Sequence, residues 1–397
     1  MGIRVGVFFG GRSVEHEVSI ISAIQAIGAF DASKYDVVPV YCARDGGMYV
    51  GGKVADINEY RDIPSLVRQS KKVVCVSDCG RFRLMYHPAR LFGSSVHSEI
   101  DVAFPIMHGT NVEDGALQGF FRILAVPFAG PDVTASAVGM DKYMQKLVLR
   151  DNGIPVLDCR RVSVKAYFAD PDGAVRDIES AIGYPAIVKP VNLGSSIGIR
   201  KASDAKGLKD ALDYAFLYSR TALAERAVAN LREINCAVLG DQDSAEASEC
   251  EAPIGADEIL SYEDKYISGG KPGTKGMSSA KRILPADIQP ETRERIRDLA
   301  VRAFQALSCS GVARLDFLMD AGTGDIWLNE INTIPGSLSF YLWAPLGVSY
   351  PELLDKLVGL ALKKERDDAS VSFSFETNIL TNLIPGSLKT AKIGQKI

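Results

Sequence analysis

The segment RLDFLMDAGTGDIWLNEIN, residues 314 to 332, gathers the densest set of side chains suited to chemistry. Side chains along a strand repeat every two residues, so Arg314 and Asp316 share one face of one strand, and Glu330 and Asn332 one face of the next. A turn at AGTG between the strands brings the four groups together. Two carboxylates and an amide oxygen are hard ligands suited to Mg²⁺, which keeps its other positions for water and phosphate oxygens. An arginine beside them can neutralise a phosphoryl group in transfer. The same pattern also fits a salt-bridged hairpin, so the metal site is an expectation to be tested.

Lysine placement gives a second signal. Lys189 ends the strand AIVKP just before NLGSSIG, where Gly194, Ser195, Ser196 and Gly198 can present backbone N–H groups to phosphates. The loop is not a Walker sequence and fits an ordinary hairpin as well. Lys142 in MDK, Glu225 in LAERAV and Glu233 in LREIN say little singly; their order along the chain is what counts. A third signal is VGVFFGGRSVEHEVSI, residues 5 to 20, an apolar strand turning at Gly10 and Gly11 into a helix. It lacks the third glycine of a dinucleotide fingerprint. Glu15 and Glu17 in the first helical turn repel a phosphate and suit an ammonium group.

These groups need several lobes to position them. At 397 residues, 47% hydrophobic and 24% charged, the chain has the composition of a soluble globular protein of two to four domains. A net charge of −4 without a basic, aromatic-interleaved stripe excludes nucleic acid as the expected partner and favours small molecules. Of the seven cysteines only Cys75 and Cys79 are close, which predicts reduced structural thiols. No apolar run reaches the ~18 residues that cross a bilayer and no signal peptide precedes Ile3, so a cytoplasmic location with no membrane partner is expected.

Residues 3 to 9 and 36 to 42 read as buried strands around a helix from about 15 to 29, a βαβ unit. The stretch from 50 to 100 alternates weakly and elaborates this first lobe. DVAFPIMHG is a further strand, and a helix and a short strand follow before GPD at 130 to 132. Helices are expected over about 140 to 154, 203 to 217, 290 to 307 and 350 to 363, with a Gly-, Ser- and Lys-rich segment around 262 to 286 long enough to form a lid.

Taken together and in order, FGGRSVEHEVS, HGTNVEDGALQG, GMDK, IVKPVNLGSSIG, EDKY, ARLDF and LNEINTIPG resemble the D-alanine-D-alanine ligases of the ATP-grasp superfamily, over residues 3 to about 363. The resemblance implies an α/β protein of α+β lobes, a three-lobed ATP-grasp fold with an N-terminal βαβ pre-ATP-grasp domain. Residues 1–130 would bind the first D-alanine, 131–226 and 227–365 would be the central and C-terminal ATP-grasp lobes, and 366–397 a polar tail. By the same match Glu15 binds the ammonium of the first D-alanine, with Val18 and His108 lining its pocket. Lys142 and Lys189 meet the phosphates of ATP, Ser196 covers the β-phosphate, Glu225, Arg226 and Val228 lie at adenine, and Glu233 at the ribose. Asp316, Glu330 and Asn332 hold two Mg²⁺ ions, for which Mn²⁺ can substitute. Arg314 and the Gly336 amide stabilise an oxyanion, Tyr266 links through Ser195 to Glu15, and Lys265 faces phosphate and carboxylate. The activity implied is ATP-dependent joining of two D-alanines through a D-alanyl phosphate for peptidoglycan precursor synthesis, in a chain that the family suggests is a homodimer.

The pattern departs from the family after NTIPG. Most members carry His-Ser-Leu where this chain has Phe340, Tyr341 and Leu342, so the acceptor's carboxylate would meet the Leu342 amide, with the Tyr341 hydroxyl in the serine's place. Tyr266 argues for an amino-acid acceptor, and D-serine stays open because one hydroxyl is hard to exclude from a small pocket. An ATP-grasp ligase with another acceptor and a non-catalytic ATP-binding regulator are the alternatives.

Overall fold

The computed structural model describes residues 2–78, 80–194, 196–254, 282–372 and 375. The first lobe comprises β1 (Ile3–Gly10), α1 (His16–Ala29), β2 (Tyr35–Cys42), β3 (Met48–Val50), α2 (Ile63–Gln69), β4 (Lys71–Asp78), β5 (Arg81–Tyr86), β6 (Val96–Ile100), β7 (Val102–Ile106) and α3 (Ala116–Ile123). β1 runs parallel to β2 and to β7, since the helical crossover returns the chain in the same direction. The weakly alternating 50 to 100 stretch supplies β3 to β6, which extend the sheet antiparallel in the order β6-β5-β4-β3-β2-β1-β7. Its pattern is weak in β4, where only Val73 is fully buried, whereas β3 and β5 bury Tyr49, Val50, Phe82 and Leu84 in the lobe's core. The short strand expected before residue 130 is a single bridge between Phe128 and Ala103.

Next come α4 (Val133–Met140), α5 (Lys142–Asp151), β8 (Cys159–Ser163), α6 (Val164–Ala169), α7 (Pro171–Ala181), β9 (Ala186–Pro190), β10 (Arg200–Ala202), α8 (Ala205–Phe216) and β11 (Thr221–Arg226). Their four strands form an antiparallel sheet, β10-β9-β11-β8. α7 and α8 bury Val175, Ile178, Leu208 and Leu212 against Val188 and Ala224, each such side chain contributing about 1.5–3 kcal/mol. The sequence reading places neither α6 nor α7. Ala135 of α4 and Leu149 of α5 pack into the core of the third sheet instead of this one.

That third sheet is formed by β12 (Leu231–Gly240), β13 (Ala245–Pro253), β14 (Arg282–Ile283), β15 (Gly311–Asp320) and β16 (Ile326–Asn332), antiparallel in the order β14-β13-β12-β15-β16. Leu315, Phe317 and Met319 face α9 (Pro290–Ala306) and its Ile296, Leu299 and Phe304, leaving Arg314 and Asp316 on the opposite face. A 3-10 run at Gly336–Leu342 leads to α10 (Tyr350–Ala369), which starts on a capping box between Ser349 and Glu352. Ion pairs Lys363–Asp367 and Lys364–Asp368, one helical turn apart, accompany its extension beyond the expected end near 363. Leu353, Leu354, Leu357 and Val358 of α10 join the first lobe's core, tying the third lobe back to the first.

Candidate active site

The acidic nook lies where β1 ends. Gly10 and Gly11 have φ of 93° and 88°, and a Cβ on Gly10 would stand 2.4 Å from the Cys42 carbonyl, so only glycine fits this turn. Ser19 of α1 locks it, accepting the Gly10 N–H at 2.7 Å and donating to the Ile106 carbonyl at 2.6 Å. Glu15 is thereby set at the start of α1, 7% exposed, with Val18 buried one turn on. The loop after β9 reaches it: a Cβ on Gly194 would lie 3.6 Å from Glu15 Oε2. His108 Nδ1 lies 2.7 Å from the Ile334 carbonyl and Nε2 3.1 Å from Ser22 Oγ. Burial pulls its pKa down to about 4, so the imidazole is neutral, donating from Nδ1 and accepting from the serine.

One residue of this nook was missed. Glu113, inside the HGTNVEDGALQG motif, accepts the Gly109 N–H at 2.7 Å and the Ile334 N–H at 3.0 Å. It thus joins the first lobe to the segment after β16. Burial, reinforced by the Glu15 charge, pushes its pKa up to about 8. A single cleft is lined by Glu15, Glu113, Lys142, Gly194, Glu330 and Asn332.

The four groups of the β15 and β16 hairpin meet as the strand alternation requires. Arg314 pairs in register with Asn332, and Asp316 with Glu330, so all four project from one face. Arg314 grips Asp316 through Nε at 2.7 Å and Nη2 at 2.8 Å, and Asn332 Nδ2 donates to Asp316 Oδ2 at 3.0 Å. Burial works against the Arg314 charge, yet the Asp316 carboxylate outweighs it and holds the guanidinium pKa well above its ordinary value. Among the described residues no cluster of three or more His, Cys, Asp or Glu is arranged for a metal. Two carboxylates and one amide nevertheless fit Mg²⁺, a cation that takes its other ligands from phosphate and water.

Both lysines reach this region. Lys142 opens α5, capped by Asp141, and its Nζ donates to the Leu193 carbonyl at 2.7 Å while lying 3.0 Å from Glu330 Oε2. Lys189 Nζ stands 2.7 Å from Glu225 Oε2 and donates to Asn329 Oδ1 at 2.9 Å, next in sequence to Glu330. Lys146, one helical turn after Lys142 and 1% exposed, places Nζ 2.8 Å from the other Glu225 oxygen. Burial alone would raise the Glu225 pKa, but the Lys146 and Lys189 charges together bring it below its ordinary value. Burial depresses that of Lys189 despite Glu225. Sequence reasoning passed over Lys146, although its spacing from Lys142 puts both on one helix face.

Arg226 is exposed and Val228 half-buried at the end of β11, while Glu233 stands half-buried on β12 opposite Leu318. Ser196 sits at φ 58°, in the left-handed region. Ser195, Lys265 and Tyr266 lie outside the described residues, as does most of the expected lid. Beyond Gly336, Ser337, Leu338 and Ser339 take φ of 51°, 52° and 49°, conformations that cost about 1–3 kcal/mol each. They are held by the Ser337 N–H donating to Ser22 Oγ at 2.9 Å and its hydroxyl to Gln25 Oε1 at 2.7 Å. Leu342 is fully buried. The Tyr341 hydroxyl, expected in the place of a substrate-binding serine, donates instead to Glu251 Oε1 at 3.1 Å. Neither Glu251 nor its partner Arg282 carries a local sequence signal.

Comparison with known proteins places this geometry. Residues 4–131 match the family described as D-ala D-ala ligase N-terminus, and residues 148–359 that described as D-ala D-ala ligase C-terminus. The D-alanine-D-alanine ligase of Acetivibrio thermocellus is 40% identical over 378 residues, 92% of this chain and 97% of that protein. That of Thermosipho melanesiensis is 35% identical, over 95% of this chain and 98% of its own length. The solved D-alanine-D-alanine ligase of Coxiella burnetii superposes with a TM-score of 0.77 at 28% identity, covering 93% and 96% of the two chains. The VanG D-Ala:D-Ser ligase of Enterococcus faecalis gives a TM-score of 0.75 at 30% identity, covering 91% and 100%. With both halves matched and relatives aligned along nearly their whole length, this chain belongs to the D-alanine-D-alanine ligase family and has the ATP-grasp fold.

Proposed function

We propose that the chain joins two D-alanines into D-alanyl-D-alanine, converting ATP to ADP and phosphate, to supply a peptidoglycan precursor. The observation that carries this is the single cleft onto which the Glu15 nook, Lys142, Glu330 and Asn332 all open, so that an amino acid and a metal-bound triphosphate can meet. Glu15 takes the ammonium of the donor, beside Val18 and neutral His108. A carboxylate is a poor electrophile, so the donor carboxylate first takes the γ-phosphoryl of ATP, releasing ADP. The acceptor amine then attacks the carbonyl carbon; the C–N bond forms, the C–O bond to phosphate breaks, and the amine gives up its proton.

Asp316, Glu330 and Asn332 would hold two Mg²⁺ ions, or Mn²⁺, whose charge offsets that of the triphosphate. Lys142 and Lys189 serve the phosphates, which means exchanging Glu330 and Glu225 for phosphate oxygens. Ser196 serves the β-phosphate. Glu225, kept ionised by Lys146, turns to the adenine amino group beside Arg226 and Val228, and Glu233 to the ribose. Arg314 and the Gly336 amide stabilise the oxyanion of the second step. Ser195, Lys265 and Tyr266 complete the set as the family match implies. In this division residues 1–130 hold the donor, and ATP lies between 131–226 and 227–365. A homodimer in solution belongs to the same proposal, and light scattering tests it.

D-Serine as acceptor is the second reading, favoured by the 30% identity to a D-Ala:D-Ser ligase and by Tyr341 at the serine position. Phosphate release with ATP, Mg²⁺ and D-alanine, then with D-serine or D-lactate added, tests both. Release and dipeptide formation with D-alanine alone are expected. Mixed dipeptide formed in preference would favour the second reading, and no release despite ATP binding would overturn both.

A further inference from the structure

The residues around Tyr341 form a built cluster that the established chemistry leaves without a role. Glu251 is 2% exposed and spreads its two oxygens over three donors: Oε1 accepts from the Tyr341 hydroxyl at 3.1 Å and Asn235 Nδ2 at 3.2 Å, and Oε2 from Arg282 Nη1 at 2.9 Å. The Arg282 guanidinium also lies 3.8 Å above the centre of the Tyr341 ring. The cluster continues the metal-facing row. Glu251 is the register partner of Asn235, Asn235 of Asp316 and Asp316 of Glu330, so four polar side chains cross β13, β12, β15 and β16 on one face. Arg314 lies close enough for its charge to act on both Tyr341 and Glu251.

An amino-acid acceptor brings a carboxylate that needs a cation, and a guanidinium is best suited to one when held flat and in place. At this end of the row Arg314 is already committed to Asp316. Resting on the ligase reading above, we propose that Arg282 is a further residue that receives the acceptor's carboxylate, beside the Leu342 amide and Lys265 that the family match implies, and that Glu251 is a positioning residue that fixes Arg282 against the Tyr341 ring. The Tyr341 hydroxyl is spent on Glu251, so Tyr341 serves as the platform under Arg282 and does not stand in for a serine. The ligand class is a free α-carboxylate on a small D-amino acid.

The test is steady-state kinetics of wild type, Glu251→Gln, Arg282→Lys and Tyr341→Phe over a wide D-alanine range, with donor and acceptor constants resolved because the two occupancies saturate in turn. Glu251→Gln and Arg282→Lys are expected to raise the acceptor constant about tenfold or more, with the donor and ATP constants within about twofold. Tyr341→Phe keeps the platform and removes one oxygen, so it should raise the acceptor constant less than either. If donor and acceptor constants move in step, or the acceptor constant stays put in folded Glu251→Gln and Arg282→Lys, the proposal is overturned. Should Glu251→Gln fail to fold, Arg282→Lys and Tyr341→Phe decide alone. A wild-type chain that makes no dipeptide overturns the ligase reading and this proposal together, whereas an active wild type with the wrong variant pattern overturns only the latter.

Discussion

Lys142 Nζ stands 3.0 Å from Glu330 Oε2, an ion pair that bridges the start of α5 and strand β16, which carries two of the proposed metal ligands. The same exchange recurs at Lys189 and Glu225, 2.7 Å apart. Each cation proposed for a phosphate is thus paired with an anion proposed for a metal or for adenine, and the cleft balances its own charges. ATP with its metal ions offers both partners of each pair a replacement, so neither is left buried and uncompensated.

Glu330→Gln is expected to lower phosphate release with D-alanine by about 10²-fold or more, because the carboxylate that faces Asp316 across the hairpin is lost. The variant should still fold but with a lowered thermal midpoint, since buried Lys142 loses its anionic partner. Unchanged turnover would remove Glu330 from the metal site.

Glu15→Gln should weaken donor capture by about tenfold while leaving ATP affinity as it was, because Glu15 sits at the start of α1 and belongs to the acidic nook. Titration of the variant with ATP, alongside donor kinetics, checks this. A fall in ATP affinity with an unaltered donor constant would assign the loop to the nucleotide.

Lys146→Met leaves Glu225 with only Lys189, which the phosphates are proposed to draw away. ATP affinity should drop about tenfold, with a stability loss of up to about 3 kcal/mol. Calorimetric titration and a denaturant melt separate the two effects. An unaltered ATP affinity would make Lys146 purely structural.

Glu113 gives the fold a pH dependence. Its carboxyl is pushed from 4.5 up to about 8, so between those values the folded chain holds a proton that the unfolded chain has released. The contribution is fully present below about pH 4.5 and is lost as the pH rises towards 8. Melts of wild type and Glu113→Gln across this range should show the wild-type advantage shrinking with rising pH. A difference that stays constant, or grows with pH, would contradict the burial assigned to this group.

By itself the sequence determined the local geometry of the site. The two-residue repeat of β15 and β16 dictates that Arg314, Asp316, Glu330 and Asn332 share a face, and the paired glycines set Glu15 at a helix start. Such patterns are legible because backbone periodicity and the sterics of glycine act within a few residues. Other features depended on the tertiary structure. The partnership of Glu113 with Ile334 spans 221 positions, that of Lys189 with Asn329 spans 140, and that of Tyr341 with Glu251 spans 90. No local propensity encodes such a meeting, because a buried carboxylate takes whichever donors the packing of distant elements delivers. Tyr341 could therefore be read from its position as a replacement for a serine, and only the approach of β13 and β14 turned its hydroxyl to Glu251 and its ring to Arg282.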